Sequence, residues 1–254
     1  MINDDGAYRM WYSGHDGSAW RIYCATSSDG IAWTKVNNVL HPPTNGLSTG
    51  GRIPLGLMGK GDSTNVYESC VLKDGGSYKM WYSGAAGATA TSRIYYATSS
   101  DGLSWTKYNN DVPAATDGTS TNGGIPLGTA GQGDSAHTRG PMVLKEGDVY
   151  RMWYFASDGA VWRIYHATSM DGVSWTKFNN TAATGATDGL CSNGTISVGT
   201  AGKGDVNGIR SGGLIFDGDM YKMWYGGASG GTWRIYYATY QYPRPVISNA
   251  PAQD

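Results

Sequence analysis

Acidic side chains recur at one position of this chain, directly after long glycine-rich segments. Three such segments end in the pattern Gly-x-Gly-Asp, at Asp62, Asp134 and Asp205. The chain contains two glutamates, Glu68 and Glu146, and Glu68 follows shortly after the first of these aspartates. Carboxylates gathered at one end of a fold can bind ligand hydroxyls or act as general acids and bases. The alternative interpretation is that each aspartate caps a buried loop, and the spacing leaves both open.

Aromatic and basic side chains form a second set of candidates. A tryptophan precedes a repeated arginine in three places, at Trp20, Trp162 and Trp233, whereas Ser92 stands at the equivalent position of a fourth. Flat aromatic faces beside carboxylates and guanidinium groups are suited to sugar rings, which need faces to stack on and paired hydrogen bonds to their hydroxyls. Packing between neighbouring sheets explains these tryptophans equally well. Further candidates near Asp134 and Asp205 are His137, Arg139 and Arg210.

These candidates are embedded in a repeat. The block Tyr-Lys/Arg-Met-Trp-Tyr occurs four times, with its methionine at Met10, Met80, Met152 and Met223, which are 70, 72 and 71 residues apart. Each copy is followed by Arg-Ile-Tyr and then Ala-Thr, and three copies continue into Ser-x-Asp-Gly-x-x-Trp-Thr-Lys. All 10 tryptophans lie in these blocks or directly before their Arg-Ile-Tyr segments, so the repeat carries the structural core.

Each unit is predicted to form four strands. The first is short and apolar, the second is the methionine block, the third begins at Arg-Ile-Tyr and the fourth is Trp-Thr-Lys. The second strand is apolar on both faces, as expected for a sheet covered on each side by a neighbour. Four-stranded antiparallel units repeated around an axis are the blades of a β-propeller. We therefore predict an all-β protein, one propeller domain over residues 1–254 with units at about 1–61, 62–133, 134–204 and 205–254.

The two ends of this propeller are expected to differ. Tight Asp-Gly turns at Asp29, Asp101 and Asp171 lie at one end, where each aspartate caps its own turn. The long connectors and the tryptophan turns lie at the other, and connectors of this length are usually functional or disordered. They repeat the pattern Ile-Pro-Leu-Gly twice and the related Ile-Ser-Val-Gly once, which favours order. We expect the first strand of the first unit to be shortened, because it begins at Met1. Residues 240–245 are expected to supply the outermost strand of the last blade. Four blades are visible in the sequence, and a fifth is the alternative.

Composition excludes several classes of partner and cofactor. The formal net charge is −1 with 15% charged residues, so there is no basic field for nucleic acid. Apolar runs are too short for a membrane span, and the residues Ile-Asn-Asp-Asp after Met1 lead us to expect no signal peptide. The three cysteines, Cys24, Cys70 and Cys191, and the four histidines have no metal-ligand spacing. We expect a monomer without metal or cofactor, although calcium near Asp117 and Asp188 is a weak alternative.

The blade motifs resemble those of the furanosidase-like glycoside hydrolase superfamily, which includes families 32, 43, 68 and 130. The resemblance rests on Tyr-Lys-Met-Trp-Tyr-Ser-Gly from Tyr78, on Arg-Ile-Tyr-Tyr-Ala-Thr-Ser from Arg93, and on Ser-x-Asp-Gly-x-x-Trp. The last motif is also similar to the Asp-box of sialidases, with one residue fewer between Asp and Gly. The resemblance implies a five-bladed propeller acting on glycans, with a catalytic acid at the start of a blade's first strand. Glu68 stands there, but the family's Asp-Pro signature is absent.

Three functions follow from these observations. The first is a glycan-recognition propeller that binds carbohydrate on the connector face, which the repetition of the connectors favours. Its ligand-binding candidates are Asp62, Asp134, Asp205, Trp20, Trp162, Trp233, Arg139, Arg210 and His137. The second is an active glycoside hydrolase or phosphorylase, with a catalytic pair drawn from Glu68, Asp62 and Asp134. The third is a structural or protein-interaction propeller without a small ligand. A polysaccharide partner favours an extracellular location.

Overall fold

A computed structural model of the protein describes residues 1–4, 6–36, 44, 47–87, 91–178 and 195–241, except for the side chain of Ser211. Within these residues, seventeen strands form four antiparallel sheets that are arranged in a ring as the blades of a β-propeller. The predicted fold class is therefore confirmed. His41, Asp188 and Cys191 lie outside the described residues, as do positions 242–245 of the predicted last strand. Over the described part of the chain, no helix is long and apolar enough to cross a membrane.

The first two blades show how the repeated blocks become strands. The first sheet has the order β1-β2-β3-β4. Its strands are β1 (Ile2–Asp4), β2 (Ala7–His15), β3 (Trp20–Ser27) and β4 (Thr34–Lys35). The second sheet has the order β5-β9-β8-β7-β6. Its strands are β5 (Leu47–Ser48), β6 (Asn65–Asp74), β7 (Ser77–Ala86), β8 (Thr91–Ser99) and β9 (Trp105–Lys107).

The third blade repeats the second, and the fourth is smaller. The third sheet has the order β10-β14-β13-β12-β11. Its strands are β10 (Thr119–Ser120), β11 (His137–Glu146), β12 (Val149–Ser157), β13 (Trp162–Ser169) and β14 (Trp175–Lys177). The fourth sheet consists of β15 (Gly208–Asp217), β16 (Met220–Ser229) and β17 (Thr232–Gln241). Tyr240 and Gln241 lengthen β17, so at these two positions the prediction of a separate outermost strand was wrong.

The prediction of four strands in every blade needs one correction. The short strands β5 and β10 belong to the connectors, and each pairs with the outermost strand of the blade that follows. They cover backbone groups that would otherwise form a free sheet edge. The sequence gives no apolar alternation at these two-residue strands, so pattern reasoning did not detect them.

The hydrophobic core lies between neighbouring blades. The second-strand tryptophan of one blade packs edge-on against the fourth-strand tryptophan of the next, with ring centroids 5.8 Å apart for both Trp11–Trp105 and Trp81–Trp175. Edge-to-face aromatic pairs add about 0.5–1.5 kcal/mol beyond the area that they bury. The repeated tryptophans therefore hold the ring of blades together.

Each connector covers the third strand of the blade before it. Ile53 exchanges backbone contacts with Ile22, Ile125 with Ile94 and Ile196 with Ile164, and all of these except Ile196 are fully buried. This is the role of the repeated Ile-Pro-Leu-Gly segment. No such connector follows β17 in the described part of the chain, and the equivalent residue, Ile235, is 80% exposed.

Candidate functional site

The first long strand of three blades is interrupted by a bulge at one shared position. The register of β6 against β7 shifts between Tyr67 and Ser69, which places Glu68 at the bulge. Strand β11 shifts in the same way around Gly140, and β15 shifts around position 211. Glu68 was expected just before this strand; it lies inside β6, because the bulge lets pairing with β7 continue on both sides.

The backbone of Glu68 is strained. Its φ is 48°, and no other residue except glycine has a positive φ in the part of the chain that the structure describes. Gly140 occupies the equivalent place with a φ of 60°. A side chain in this region costs about 1–2 kcal/mol relative to the ordinary conformations, and such strain is concentrated at functional sites. Glu68 is therefore a candidate for function on backbone geometry alone.

Two serines fix the bulges across the blade boundaries. The hydroxyl of Ser13 in β2 accepts a hydrogen bond from the backbone N–H of Glu68, at 2.8 Å. The hydroxyl of Ser83 in β7 accepts one from the N–H of Gly140, also at 2.8 Å, and is 3.3 Å from Oε2 of Glu68, to which it donates. Ser13 of the preceding blade therefore fixes the backbone of Glu68, and Ser83 of its own blade binds both its carboxyl and the next bulge.

The carboxyl of Glu68 faces two arginines from the next two blades. Burial raises its pKa, while the positive charges of Arg139 and Arg210 and the hydrogen bond from Ser83 act in the opposite direction. Burial prevails, so the pKa of Glu68 lies above its ordinary value. The pKa of Arg210 is lowered by burial and by the like charge of Arg139, and Glu68 partly compensates this effect.

Both guanidinium groups lie over indole rings. Cζ of Arg139 is 4.2 Å from the ring centroid of Trp162, and Cζ of Arg210 is 4.9 Å from that of Trp233 and 5.9 Å from that of Trp162. Neither guanidinium group makes a hydrogen bond or an ion pair with any residue that the structure describes. Their hydrogen-bond donors are therefore available to a ligand.

His137 completes this group, which we call the central cluster: Glu68, His137, Arg139, Arg210, Trp162 and Trp233. Its ring stacks on Trp162 with centroids 5.4 Å apart, and its Nδ1 accepts a hydrogen bond from the backbone N–H of Ser92 at 3.4 Å. Burial and the charges of Arg139 and Arg93 lower its pKa. The imidazole is accordingly neutral at pH 7, with its proton on Nε2.

Trp20 lies outside the central cluster. Its ring packs edge-on against His15, 5.2 Å away, and its backbone N–H donates to Asn65 of the second blade. It is 45% exposed, close to the 47% of Trp233, but no described arginine lies over it. The structure thus brings together two of the three predicted tryptophans and separates the third.

The connector aspartates Asp62 and Asp134 are fully buried and paired. Asp62 accepts hydrogen bonds from Tyr82 at 3.0 Å and Asn110 at 2.7 Å, and its carboxylate is 2.7 Å from Nζ of Lys107. Asp134 is bonded to Tyr154 at 3.3 Å and to Lys177 at 2.8 Å. These contacts use both carboxylates to hold the end of each connector on the blade that follows it. They favour the loop-cap interpretation over ligand binding.

Asp205 differs from its two counterparts. It is partly exposed and accepts a hydrogen bond from Tyr225 at 3.2 Å. The lysine that pairs with the other two aspartates comes from the fourth strand of the blade, Lys107 in β9 and Lys177 in β14. The sheet of the fourth blade has three described strands, so this lysine has no counterpart there.

The Asp-Gly turns at the opposite end behave as predicted. Oδ1 of Asp171 accepts hydrogen bonds from the backbone N–H groups of Val173 at 2.7 Å and Ser174 at 2.6 Å. Partial burial raises the pKa of Asp171, but these bonds outweigh it and hold the pKa at about 2. The same contacts recur at Asp101 and Asp29. Each aspartate therefore organises its own turn.

A metal site is not apparent among the residues that the structure covers, which contain no group of three or more potential ligands. Asp117, the described half of the weak calcium prediction, accepts hydrogen bonds from the backbone and the hydroxyl of Thr129.

Sequence reasoning missed the residues that fix the bulges and the connector aspartates. Ser13 and Ser83 stand in the repeated Tyr-Ser-Gly segment, and Lys107 and Lys177 end the repeated Trp-Thr-Lys block. Their repetition was a usable signal. It indicates scaffold residues, because each contact they make recurs from blade to blade.

Comparison with known proteins supports the fold. No family model matches the chain. Two uncharacterised proteins of Mycobacterium tuberculosis, from strains CDC 1551 and H37Rv, are each 35% identical over 127 residues, which is 48% of this chain and 37% of theirs. This chain thus matches little more than a third of the length of these curated relatives.

Similar solved structures are glycoside hydrolases. A glycosyl hydrolase from Bacteroides ovatus has a TM-score of 0.59 at 17% identity, covering 96% of this chain and 64% of its own. The family 32 β-fructofuranosidase of Bombyx mori has a TM-score of 0.57 at 16% identity, covering 93% and 44%. The arabinanase of Bacillus subtilis has a TM-score of 0.53 at 14% identity, covering 94% and 69%. The chain therefore shares its β-propeller fold with these glycoside hydrolases.

Proposed function

We propose that this protein recognises carbohydrate at the central cluster of its propeller. The observation that carries the proposal is the strained, half-buried Glu68, which faces two arginines that have no partner among the described residues and lie over Trp162 and Trp233. Structures that share the fold include a mutant of the Bombyx mori enzyme in complex with sucrose. Guanidinium and carboxylate groups bind sugar hydroxyls, and an exposed indole offers a face for the ring.

The site lies at the same end as the connectors but is not built from their aspartates. It is formed by the first strands of the second, third and fourth blades, together with the tryptophan turns of the third and fourth. A single central site is therefore favoured over near-equivalent sites between blades.

A matched pair of tryptophan variants tests this placement. Trp233→Ala removes an indole of the central cluster, and Trp20→Ala removes one of similar exposure outside it. We expect Trp233→Ala to weaken oligosaccharide binding about 10-fold or more, since buried contacts of tryptophan are often worth 2 kcal/mol or more. Trp20→Ala should bind as the wild type does, measured by calorimetry on a glycan selected from an array. An equal loss of affinity in the two variants would favour near-equivalent sites between blades. The absence of any glycan ligand would refute the proposal.

A catalytic function is the second candidate, because the raised pKa of Glu68 suits a general acid. Hydrolysis by two carboxyls needs a partner about 5–9.5 Å away, and Asp62 and Asp134 are committed to lysine and tyrosine. Recognition without hydrolysis is therefore preferred. Release of sugar from arabinan, xylan, fructan or mannan that Glu68→Gln abolishes, with binding retained, would favour the enzyme instead.

A further inference from the structure

We infer that the saccharide bound at the central cluster is anionic and carries a uronate carboxylate, held by Arg139 and Arg210. The inference rests on the proposed function and adds the class of ligand. It starts from the contrast between these two arginines and others in the chain.

Four other arginines of the described chain, Arg9, Arg21, Arg151 and Arg163, are paired with acids. Arg151 bonds to Glu146 at 2.9 Å, Arg9 lies 3.2 Å from Asp4, and Arg163 lies 3.4 Å from Asp158. Arg139 and Arg210 instead have only indole faces as close partners within the described residues. A guanidinium held on an aromatic ring keeps its N–H groups directed outward, and these N–H groups match the geometry of a carboxylate.

The charges of the cluster favour a ligand with one negative charge. The two guanidinium groups are near enough for the charge of Arg139 to act on Arg210, and each acts on Glu68. With Glu68 ionised, the three groups carry one positive charge in excess, and His137 is neutral at pH 7. One carboxylate neutralises this excess, whereas a phosphate dianion would place surplus negative charge beside Glu68. A neutral sugar would leave this one excess positive charge uncompensated.

The two tryptophans have different roles in this arrangement. Trp162 is in contact with both His137 and Arg139 and is partly buried, so it orients the guanidinium. Trp233 is 47% exposed and can offer part of its ring to the apolar face of a sugar. A uronate that stacks at Trp233 would bring its carboxylate within reach of Arg210, whose Cζ is 4.9 Å from that ring.

The test compares acidic sugars with neutral sugars of the same shape. Trisaccharides of galacturonate, glucuronate and mannuronate are titrated into the wild-type protein by calorimetry, each beside its carboxyl-reduced counterpart. We expect at least one acid to bind about 10- to 100-fold more tightly than its reduced form, the range typical of charge-assisted hydrogen bonds. This preference should decline as salt is raised. The comparison requires no variant, so it does not depend on the folding of a mutant.

Three variants place the preference on the cluster. Arg139→Gln and Arg210→Gln should each reduce the affinity for the acid about 10-fold or more and leave the affinity for the reduced sugar little changed. Lys222→Gln removes a positive charge at the opposite end, where Lys222 is bonded to Asp217, and should keep the preference.

The possible failures are distinguishable. If a reduced sugar binds as tightly as its acid, the ligand is neutral: the inference is wrong while the proposed function stands. If neither form of any sugar binds, the proposed function itself fails. Inorganic phosphate that displaces the acid at equal concentration would identify a phosphate site and overturn the uronate assignment.

Discussion

The ion pair between Lys107 and Asp62 provides the sharpest test of the structural role given to the connector aspartates. Both side chains are almost completely buried, at 2% and 0% exposure, with Nζ and Oδ2 2.7 Å apart. Lys107→Met keeps an unbranched side chain and removes the charge, so Asp62 keeps only Tyr82 and Asn110 as described partners. Breaking one side of a buried pair costs about 3–5 kcal/mol. In a chain of this size, that lowers Tm by about 6–20 °C.

Removing both charges should recover most of this loss. In Asp62→Asn with Lys107→Met, no uncompensated charge stays in the interior, so the double variant should be more stable than Lys107→Met alone. We expect a coupling free energy of about 2 kcal/mol or more between the two sites. Lys60→Met is the control in the same connector, because its ion pair with Asp111 is exposed and should be worth less than about 1 kcal/mol.

The assay is thermal unfolding by circular dichroism, repeated as urea titration at pH 7. The structural role would be refuted if Lys107→Met lowered Tm no more than Lys60→Met. A second measurement separates folding from function: the double variant should bind glycan with wild-type affinity. A stable double variant that no longer binds glycan would show that Asp62 contributes to the ligand site.

Three further predictions concern other parts of the chain. Burial and the charge of Arg151 lower the pKa of His166 to about 4, so the unfolded state takes up the proton first. The free energy of unfolding should therefore fall by about 3 kcal/mol as pH drops from about 6.5 to 4. In Tm measurements, His166→Tyr should abolish this loss and His15→Gln should not. Asp171→Ala should lower the free energy of unfolding by about 1–2 kcal/mol at pH 7. Because the pKa of Asp171 is lowered to about 2, the wild type should lose more stability than the variant between pH 4 and 2. An equal loss of stability in the two proteins over this range would contradict the prediction. Glu68→Gly should be about 1 kcal/mol more stable than Glu68→Ala in urea unfolding, since glycine relieves the positive φ, and the reverse order would disprove the strain.

Much of the fold could be predicted because the repeated blocks show the length of each blade and also contain the residues that pack between neighbouring blades. The methionine block is apolar on both faces, and its tryptophan packs on the fourth-strand tryptophan of the next blade, as at Trp81 and Trp175. The sequence could not show the outer strands β5 and β10, because two residues pairing with an edge leave no pattern.

The central cluster could be predicted only in part. Glu68, Arg139 and Arg210 were identified as separate candidates, but their grouping depends on a bulge, whose signal is the glycine at position 140. Asp62 was ambiguous because a loop cap and a ligand site both favour a buried carboxylate after glycine. Lys107 distinguishes the two interpretations, because its ion pair with Asp62 shows that the carboxylate is a loop cap. The two residues are far apart in the sequence and are brought together only by strand pairing.

Repetition and divergence have opposite meanings in this propeller. The residues that recur from blade to blade, such as Asp62 with Lys107, hold connectors and blades in place, and a ligand would have to break those contacts to use them. At the bulge the blades differ: Glu68 stands where the third blade has Gly140, and the preceding position holds Tyr67, Arg139 and Arg210 in turn. Because the backbone at Glu68 and Gly140 is nearly the same, with φ of 48° and 60°, these two blades differ there in side-chain chemistry. A glutamate kept in a conformation that suits glycine, near two arginines that form no ion pair with a described residue, is costly for a scaffold and useful for a binding site.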